Sequence, residues 1–349
     1  MIDAHVHLRD WGQREKETLA HGFAVAKLCG VEEFFDMPNT VPPLTSEQEI
    51  LRRLEDAKAA GLKNSYHLYA GLTGDSQQIA SMVELTKKLK GQVIGLKLFA
   101  GHSTGNMGLV TEQQQRKVYE ELAASQYEGV VAVHCEKESL LLPDLEDPTD
   151  FSTHSLARPS KAEVQSVADQ LEFCRDAGFK GTLHICHLSS PEALDLIEEA
   201  KRRGQKVTCA VTPHHVLLSS EVAKDQSLYA KMNPPLRSEA ERKQLFSALL
   251  SGRIDWIETD HAPHTLQDKR NGACGIPGFS GLLLLVKVLL DNDCSPTLLK
   301  LLVGGRVSQV FGLGKKDIFI PAYENLLELS SQAAKMYVFD PFLTVRQKC

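Results

Sequence analysis

An alternation constrains this chain more than any other feature. Eight short apolar, β-prone runs occur at 2–8 (IDAHVHL), 31–37 (VEEFFDM), 65–72 (SYHLYAGL), 92–99 (QVIGLKLF), 129–135 (GVVAVHC), 181–188 (GTLHICHL), 206–212 (KVTCAVT) and 254–259 (IDWIET). Amphipathic helical stretches separate them, such as SEQEILRRLEDAKAAG (46–61), KAEVQSVADQLEFCRDAG (161–178) and SPEALDLIEEAKRRG (190–204). Ser46 and Ser190 stand where N-caps belong, and each of these stretches ends on glycine, a helix stop. A helix between two strands carries the chain back so that the strands pair in parallel. Eight such units predict an α/β fold, a (β/α)₈ TIM barrel over residues 1–312. A doubly wound open sheet is the rival, but it needs a glycine-rich phosphate turn after an early strand, and none occurs. From 313 to 349 the alternation fades. A helix over 323–335 and a strand near 336–345 are predicted there.

Composition narrows the function classes. At 42% hydrophobic and 24% charged the chain reads as an ordinary globular protein. Its formal charge is −6 and no basic block stands out, which argues against nucleic acid as a partner. The longest apolar run, GLLLLVKVLL at 281–290, is too short to span a bilayer and contains Lys287. The opening MIDAHVHL has no basic n-region, so it is not read as a signal peptide. Eight cysteines without a CxxC pair suit a reduced cytoplasmic setting. Two long connections, 136–160 and 213–237, are expected around the mouth of the barrel.

The histidines carry the chemistry. His5 and His7 lie two apart in the first strand, so both point to one face. His134 and His187 fall late in the fifth and sixth strands, and Asp260 directly follows the eighth. Lys97 falls late in the fourth, inside an apolar run where an ammonium is costly to bury. All six approach the carboxyl ends of their strands, where barrel enzymes keep their active sites. Four imidazoles and a carboxylate converging there form a nitrogen/oxygen metal site suited to zinc and similar ions. Taken singly, each residue reads more modestly, as a satisfied core histidine, a helix cap or a lysine snorkelling from a strand end. His21 and His67 look structural, and His154 has no identifiable partner. His184, three residues from His187, is expected on the opposite face. His214 and His215 are read as support behind the site.

The motifs DAHVHLR (3–9), MPNT (37–40), GLKLF (95–99), VHCE (133–136), HICH (184–187), TPHH (212–215), NPPLR (233–237), DHAPHT (260–265) and PGF (277–279) occur in this order. Together they resemble the cyclic amidohydrolases of the amidohydrolase superfamily, and most closely the dihydroorotase family, across roughly residues 1–312. The resemblance implies two Zn²⁺ per subunit. His5, His7 and Asp260 would hold one and His134 and His187 the other, with Lys97 bridging them as N6-carboxylysine together with a hydroxide. It implies reversible conversion of (S)-dihydroorotate to N-carbamoyl-L-aspartate in pyrimidine biosynthesis, with Asp260 as general base and acid. It also implies substrate contacts at Arg9, Asn39, Asn233, His264 and the backbone around Pro277. Ser103 and Thr104, in a Gly/Ser/Thr-rich loop, are further candidates.

Arg9 favours a carboxylate-bearing ring over the neutral rings of hydantoinases and allantoinases, which remain the alternative reading. A non-catalytic scaffold is a weaker one, because every ligand position is filled. Some relatives hold a third zinc through a cysteine and a glutamate. Cys186 matches the first, but the glutamate position reads Ala210. The family's small β-sandwich is expected to be reduced or missing, with the tail 313–349 as its remnant. That leaves room for a homo-oligomer or a pathway partner.

Overall fold

The computed structural model describes residues 1–62, 65–102, 107–221 and 226–349. Its strands are β1 (Ile2–Val6), β2 (Glu33–Asp36), β3 (Tyr66–Gly71), β4 (Val93–Ala100), β5 (Gly108–Leu109), β6 (Val130–Cys135), β7 (Thr182–Ile185), β8 (Val207–Val211) and β9 (Trp256–Ile257). They pair in parallel in the order β1-β2-β3-β4-β6-β7-β8-β9, with β5 a two-residue spur on β4. Beyond β9 the chain returns to β1: His261 bridges Val6, and the His7 amide donates to the His261 carbonyl at 2.7 Å. The result is a nearly closed barrel of eight parallel strands wrapped in helices. Each predicted run overlaps one of these eight strands.

The strands are buried along almost their whole length, as expected when helices cover the outer face and side chains fill the interior. Register aligns the future site. Lys97 pairs with Gly71 on one side and Ala132 on the other, and Phe99 pairs with His134. The helices begin largely as predicted, with the Ser46 side chain accepting from the Glu49 amide. Pro191 occupies the first turn after Ser190, although Ser190 makes no side-chain cap bond. Among the described residues no helix is long and apolar enough to cross a membrane.

The tail departs from expectation. A helix spans Tyr323–Ala334, as predicted, but the strand expected near 336–345 is a turn leading into a short helix, Leu343–Arg346. No described residue from 313 to 349 is in a strand. The physical reason lies in the barrel. An apolar, β-prone run such as MYVF (336–339) becomes a strand only beside an open sheet edge, and a closing barrel offers none. The tail packs instead on the helix Phe279–Asp291. Ser330 Oγ donates to the Ser280 carbonyl at 2.7 Å, and the Phe342 ring covers Gly281, where a Cβ would lie 2.4 Å from the ring.

Candidate active site

Four imidazoles form a row across the C-terminal mouth of the barrel. Ring centroids are 5.2 Å apart for His7–His5, 5.1 Å for His5–His187 and 5.0 Å for His187–His134. Asp260 closes one end: its Oδ1 lies 2.9 Å from His7 Nε2 and 3.4 Å from His5 Nε2. The backbone is bent for the purpose. His187 and Asp260 both have positive φ, 34° and 47°, a region non-glycine residues enter rarely and chiefly at functional sites.

The far nitrogen of three rings is tied down. His5 Nδ1 meets Glu258 Oε1 at 3.1 Å, His7 Nδ1 meets Asn39 Oδ1 at 2.6 Å and His134 Nε2 meets Glu136 Oε2 at 3.1 Å. Each partner oxygen accepts a proton, so each ring presents its other nitrogen as a lone pair. Those lone pairs point at Asp260 and at one another, with His134 Nδ1 only 3.3 Å from His187 Nε2. Acceptors do not converge on acceptors unless a proton or a cation lies between them. A histidine that donates outward to a carboxylate while offering its lone pair inward is the usual metal ligand. His187 Nδ1 is buried without a hydrogen-bond partner among the described residues, a further sign that this group is incomplete as a hydrogen-bond network. The residues present therefore fit divalent metal. His5, His7 and Asp260 bring their ligand atoms within 4.8 Å of one another.

Charge follows the same logic. Burial opposes ionisation of Asp260, but the bond from His7 and the nearby His5 hold its carboxyl well below the usual range. Burial and Lys97 oppose protonation of His5, yet the Glu258 carboxylate and the Cys186 sulfur together outweigh them and raise its pKa. A proton there does the work a cation would do.

Lys97 is wholly buried behind the row, with Nζ donating to Cys186 Sγ at 3.2 Å and lying 5.0 Å from the Phe99 ring. It is close enough to His5 and His187 to disfavour a proton on either. Burial would raise the Cys186 thiol, but Lys97, His5 and His184 bring it down to about 5. Cys186 also joins His5 and Glu258 in a second group whose ligand atoms lie within 4.8 Å of one another. The acid of that group comes from the end of β9, not from the Ala210 position in β8.

The substrate candidates divide. Arg9, Asn39 and Asn233 line one cavity together with His5, His7, His134, His187 and Asp260. Arg9 is 2% exposed, Nε donates to the Pro263 carbonyl at 3.2 Å, and Nη2 has no hydrogen-bond partner among the described residues. Burial lowers its pKa to about 10, so it stays charged at neutral pH. His264 sits beside the cavity wall: a Cβ on Gly275, whose φ is +129°, would come 2.8 Å from His264 Cε1. Burial, Arg9, Lys16 and Lys269 keep His264 neutral. Pro277 is buried between Ile276, which bridges His261, and Gly278, whose amide donates to His261 Nδ1 at 3.0 Å. Ser103 and Thr104 lie outside the described residues.

Three residues change standing. Glu258, buried at the end of β9, binds His5, His184 and the His187 amide, the last at 2.8 Å. Nothing in the sequence singled it out except an acid in an apolar strand. His154, expected to lack a partner, bonds Asn233 Oδ1 at 2.9 Å and Glu146 at 3.1 Å. His184 does not point away from the site, because it meets Glu258 Oε2 at 3.2 Å. The positive φ at His187 breaks the strand's period of two, so residues three apart both face inward. His215 bonds the Pro234 carbonyl at 3.0 Å, whereas neither ring nitrogen of His214 has a hydrogen-bond partner among the described residues.

Comparison with known proteins follows the geometry. No family model matches the sequence. The dihydroorotase of Brevibacillus brevis is 34% identical over 347 residues, covering 95% of this chain and 78% of that protein. The dihydroorotase of Halobacterium salinarum is 34% identical over 325 residues, covering 90% and 72%. Among solved structures, an L-hydantoinase from Arthrobacter aurescens superposes with a TM-score of 0.79 at 23% identity, over 92% of this chain and 72% of that one. A D-hydantoinase from Thermus sp. gives 0.77 at 22% identity, with the same coverage. Those structures establish the barrel. The sequence relatives, matched across most of both chains, establish that this chain belongs to the dihydroorotase family.

Proposed function

We infer that the protein interconverts (S)-dihydroorotate and N-carbamoyl-L-aspartate. One observation carries the choice of substrate: the buried, charged Arg9 has an Nη2 without a partner in the same cavity as the imidazole row. Such a group is satisfied by an anion, and the carboxylate of dihydroorotate supplies one in fork geometry. A neutral hydantoin would leave it unpaired.

His5, His7 and Asp260 would hold one divalent ion, zinc by ligand type, and His134 and His187 a second. Lys97, as a carbamate, would link the two ends. The bound ions supply Lewis acidity and a water of lowered pKa. Asp260, held as a carboxylate, takes the proton from the attacking water at its Oδ oxygens and returns it to the departing ring nitrogen. Asn39 fixes the His7 ring through Nδ1. His154 and the carbonyl grip of His215 hold the Asn233–Pro234 corner at the cavity wall. His264, neutral beside Arg9, and the backbone around Pro277 complete the substrate seat. None of the eight cysteines is bridged, which supports a reducing, cytoplasmic setting.

The test is an assay in both directions with dihydroorotate, hydantoin and allantoin, before and after chelation and after zinc is restored. Turnover of dihydroorotate alone, lost on chelation and regained with zinc, is expected. Turnover by metal-free protein, or preference for a neutral ring, would overturn the reading.

A further inference from the structure

A nucleophile that the proposed reaction does not use faces the same cavity. Cys274 belongs to the cavity lining, half-buried, with Sγ 3.7 Å from His154 Nε2 and 4.0 Å from the Gly272 carbonyl. His154 is itself buried and anchored on Glu146 through its other nitrogen. Two lysines add to the environment: Lys231, paired with Glu146, and Lys269, which donates to the Lys231, Ala273 and Gly275 carbonyls. Burial would raise the Cys274 thiol, but His154, Lys231 and Lys269 outweigh it and lower its pKa. Six of the other cysteines are buried away from this cavity lining, and exposed Cys349 lies at the chain end. The unpartnered Arg9 Nη2 in the same cavity marks it as built to admit a polar occupant.

We propose that Cys274 is a modification site, at which a peroxide converts the sulfur paired with His154 to a sulfenic acid and closes the substrate cavity. The thiolate sulfur attacks one peroxide oxygen and the O–O bond breaks. Sulfur is oxidised by two electrons as the S–O bond forms. The other oxygen leaves as hydroxide and takes its proton from the His154 imidazolium, giving water. The consequence is local. His154 Nε2 also meets Asn233 Oδ1 at 2.9 Å, so an added oxygen on Cys274 crowds the side chain assigned to hold substrate. A thiol reductant restores the thiol.

The experiment uses full-length, metal-loaded protein carrying Cys349→Ser, treated with hydrogen peroxide. A dione probe for sulfenic acid is mapped by peptide mass, and residual turnover is followed in parallel. The expected results are a label on Cys274, loss of turnover at the same rate, recovery with dithiothreitol and slowing by N-carbamoyl-L-aspartate. Adding Cys274→Ser should lower the inactivation rate, relative to that variant's own untreated activity, by about tenfold or more. His154→Gln should slow labelling. A label on Cys186 or on no cysteine, or unchanged inactivation in the Cys274→Ser protein, would overturn the proposal. The activity readout rests on the dihydroorotate reading, whereas the mass readout does not, so the two can fail separately.

Discussion

At one end of the imidazole row, His5 and His7 face the ionised Asp260 at 3.4 and 2.9 Å; at the other, His134 Nδ1 and His187 Nε2 face each other at 3.3 Å. The first end carries its own anion, and both of its rings are tied outward, to Glu258 and Asn39. The second has no anionic ligand. Glu136 lies near it, but its carboxylate is spent on the far side of His134 and on Arg158, at 2.6 Å. His187 keeps a buried nitrogen without a partner. Two neutral imidazoles alone hold a dication weakly. The second end therefore depends on whatever negative charge can be brought to it, and Lys97 is the side chain behind the row positioned to carry that charge once carboxylated.

The largest expected effect breaks this asymmetry at its source. In Lys97→Ala the His134–His187 end should lose its metal first, and turnover should fall to about a thousandth or less. Metal content by mass spectrometry and initial rates check this, and a small added carboxylate should restore part of both. Lys97→Arg should fail as well, because a guanidinium cannot become an anion and would repel both ions. If Lys97→Arg retained two metals and normal rates, the carbamate would be wrong, and the contrast between the two ends with it.

Asp260→Asn attacks the self-sufficient end. Asn keeps the shape but gives up the charge and cannot shuttle a proton, so kcat should drop by about 10²–10⁴ while the fold remains. Circular dichroism and steady-state rates measure the two separately. Near-normal turnover would move the acid–base role elsewhere.

Arg9→Met sharpens substrate choice rather than metal binding. Losing a charge-assisted partner for the substrate carboxylate should cost about 2–4 kcal/mol in kcat/KM for dihydroorotate. Metal content should not change. Equal kcat/KM in the variant would show that Arg9 is not the anchor.

The two ends also differ in how much of them could be read from sequence. Every imidazole in the row, Lys97 and Asp260 were visible, because strand period and strand-end position are local properties. What holds them was not. Glu258 looks like one acid in a short apolar strand, and only barrel closure brings it under His5. The bond from His154 to Asn233 spans 79 residues, a separation no local pattern records. His184 was misplaced because the period of two ends at His187, where φ turns positive. The tail differs from expectation for a similar reason: MYVF is a continuous apolar, β-prone run, but the barrel leaves it no edge to pair with. Local regularity revealed the groups that converge at the barrel mouth, and long-range closure determined the groups that hold them.

The smallest predicted effect concerns that hidden support, at the self-sufficient end. Glu17 is buried beside His261, the residue after Asp260, and accepts from His261 Nε2 at 3.1 Å, Tyr337 Oη at 2.8 Å and His21 Nδ1 at 3.1 Å. Tyr337 comes from the tail, so this group fastens the tail to the chain segment that carries Asp260. Burial alone would raise the Glu17 carboxyl, but His261, His21 and Tyr337 outweigh it and hold its pKa at about 2, against 4.5 for an ordinary glutamate. A carboxyl depressed in the folded state adds stability that is fully present above the unfolded value and is lost as pH falls through the folded one. Urea unfolding of the wild type should therefore weaken steadily between about pH 5 and pH 2, and Glu17→Gln should flatten that slope. Tyr337→Phe, which removes one bond to a charged oxygen, should cost about 1–2 kcal/mol at pH 7. Its effect on kcat should be smaller than that of Arg9→Met, since Asp260 keeps its own bonds to His7 and His5. If Tyr337→Phe instead lowered kcat as far as Asp260→Asn does, the tail would be part of the catalytic geometry, and the carboxylate-bearing end would not be self-sufficient.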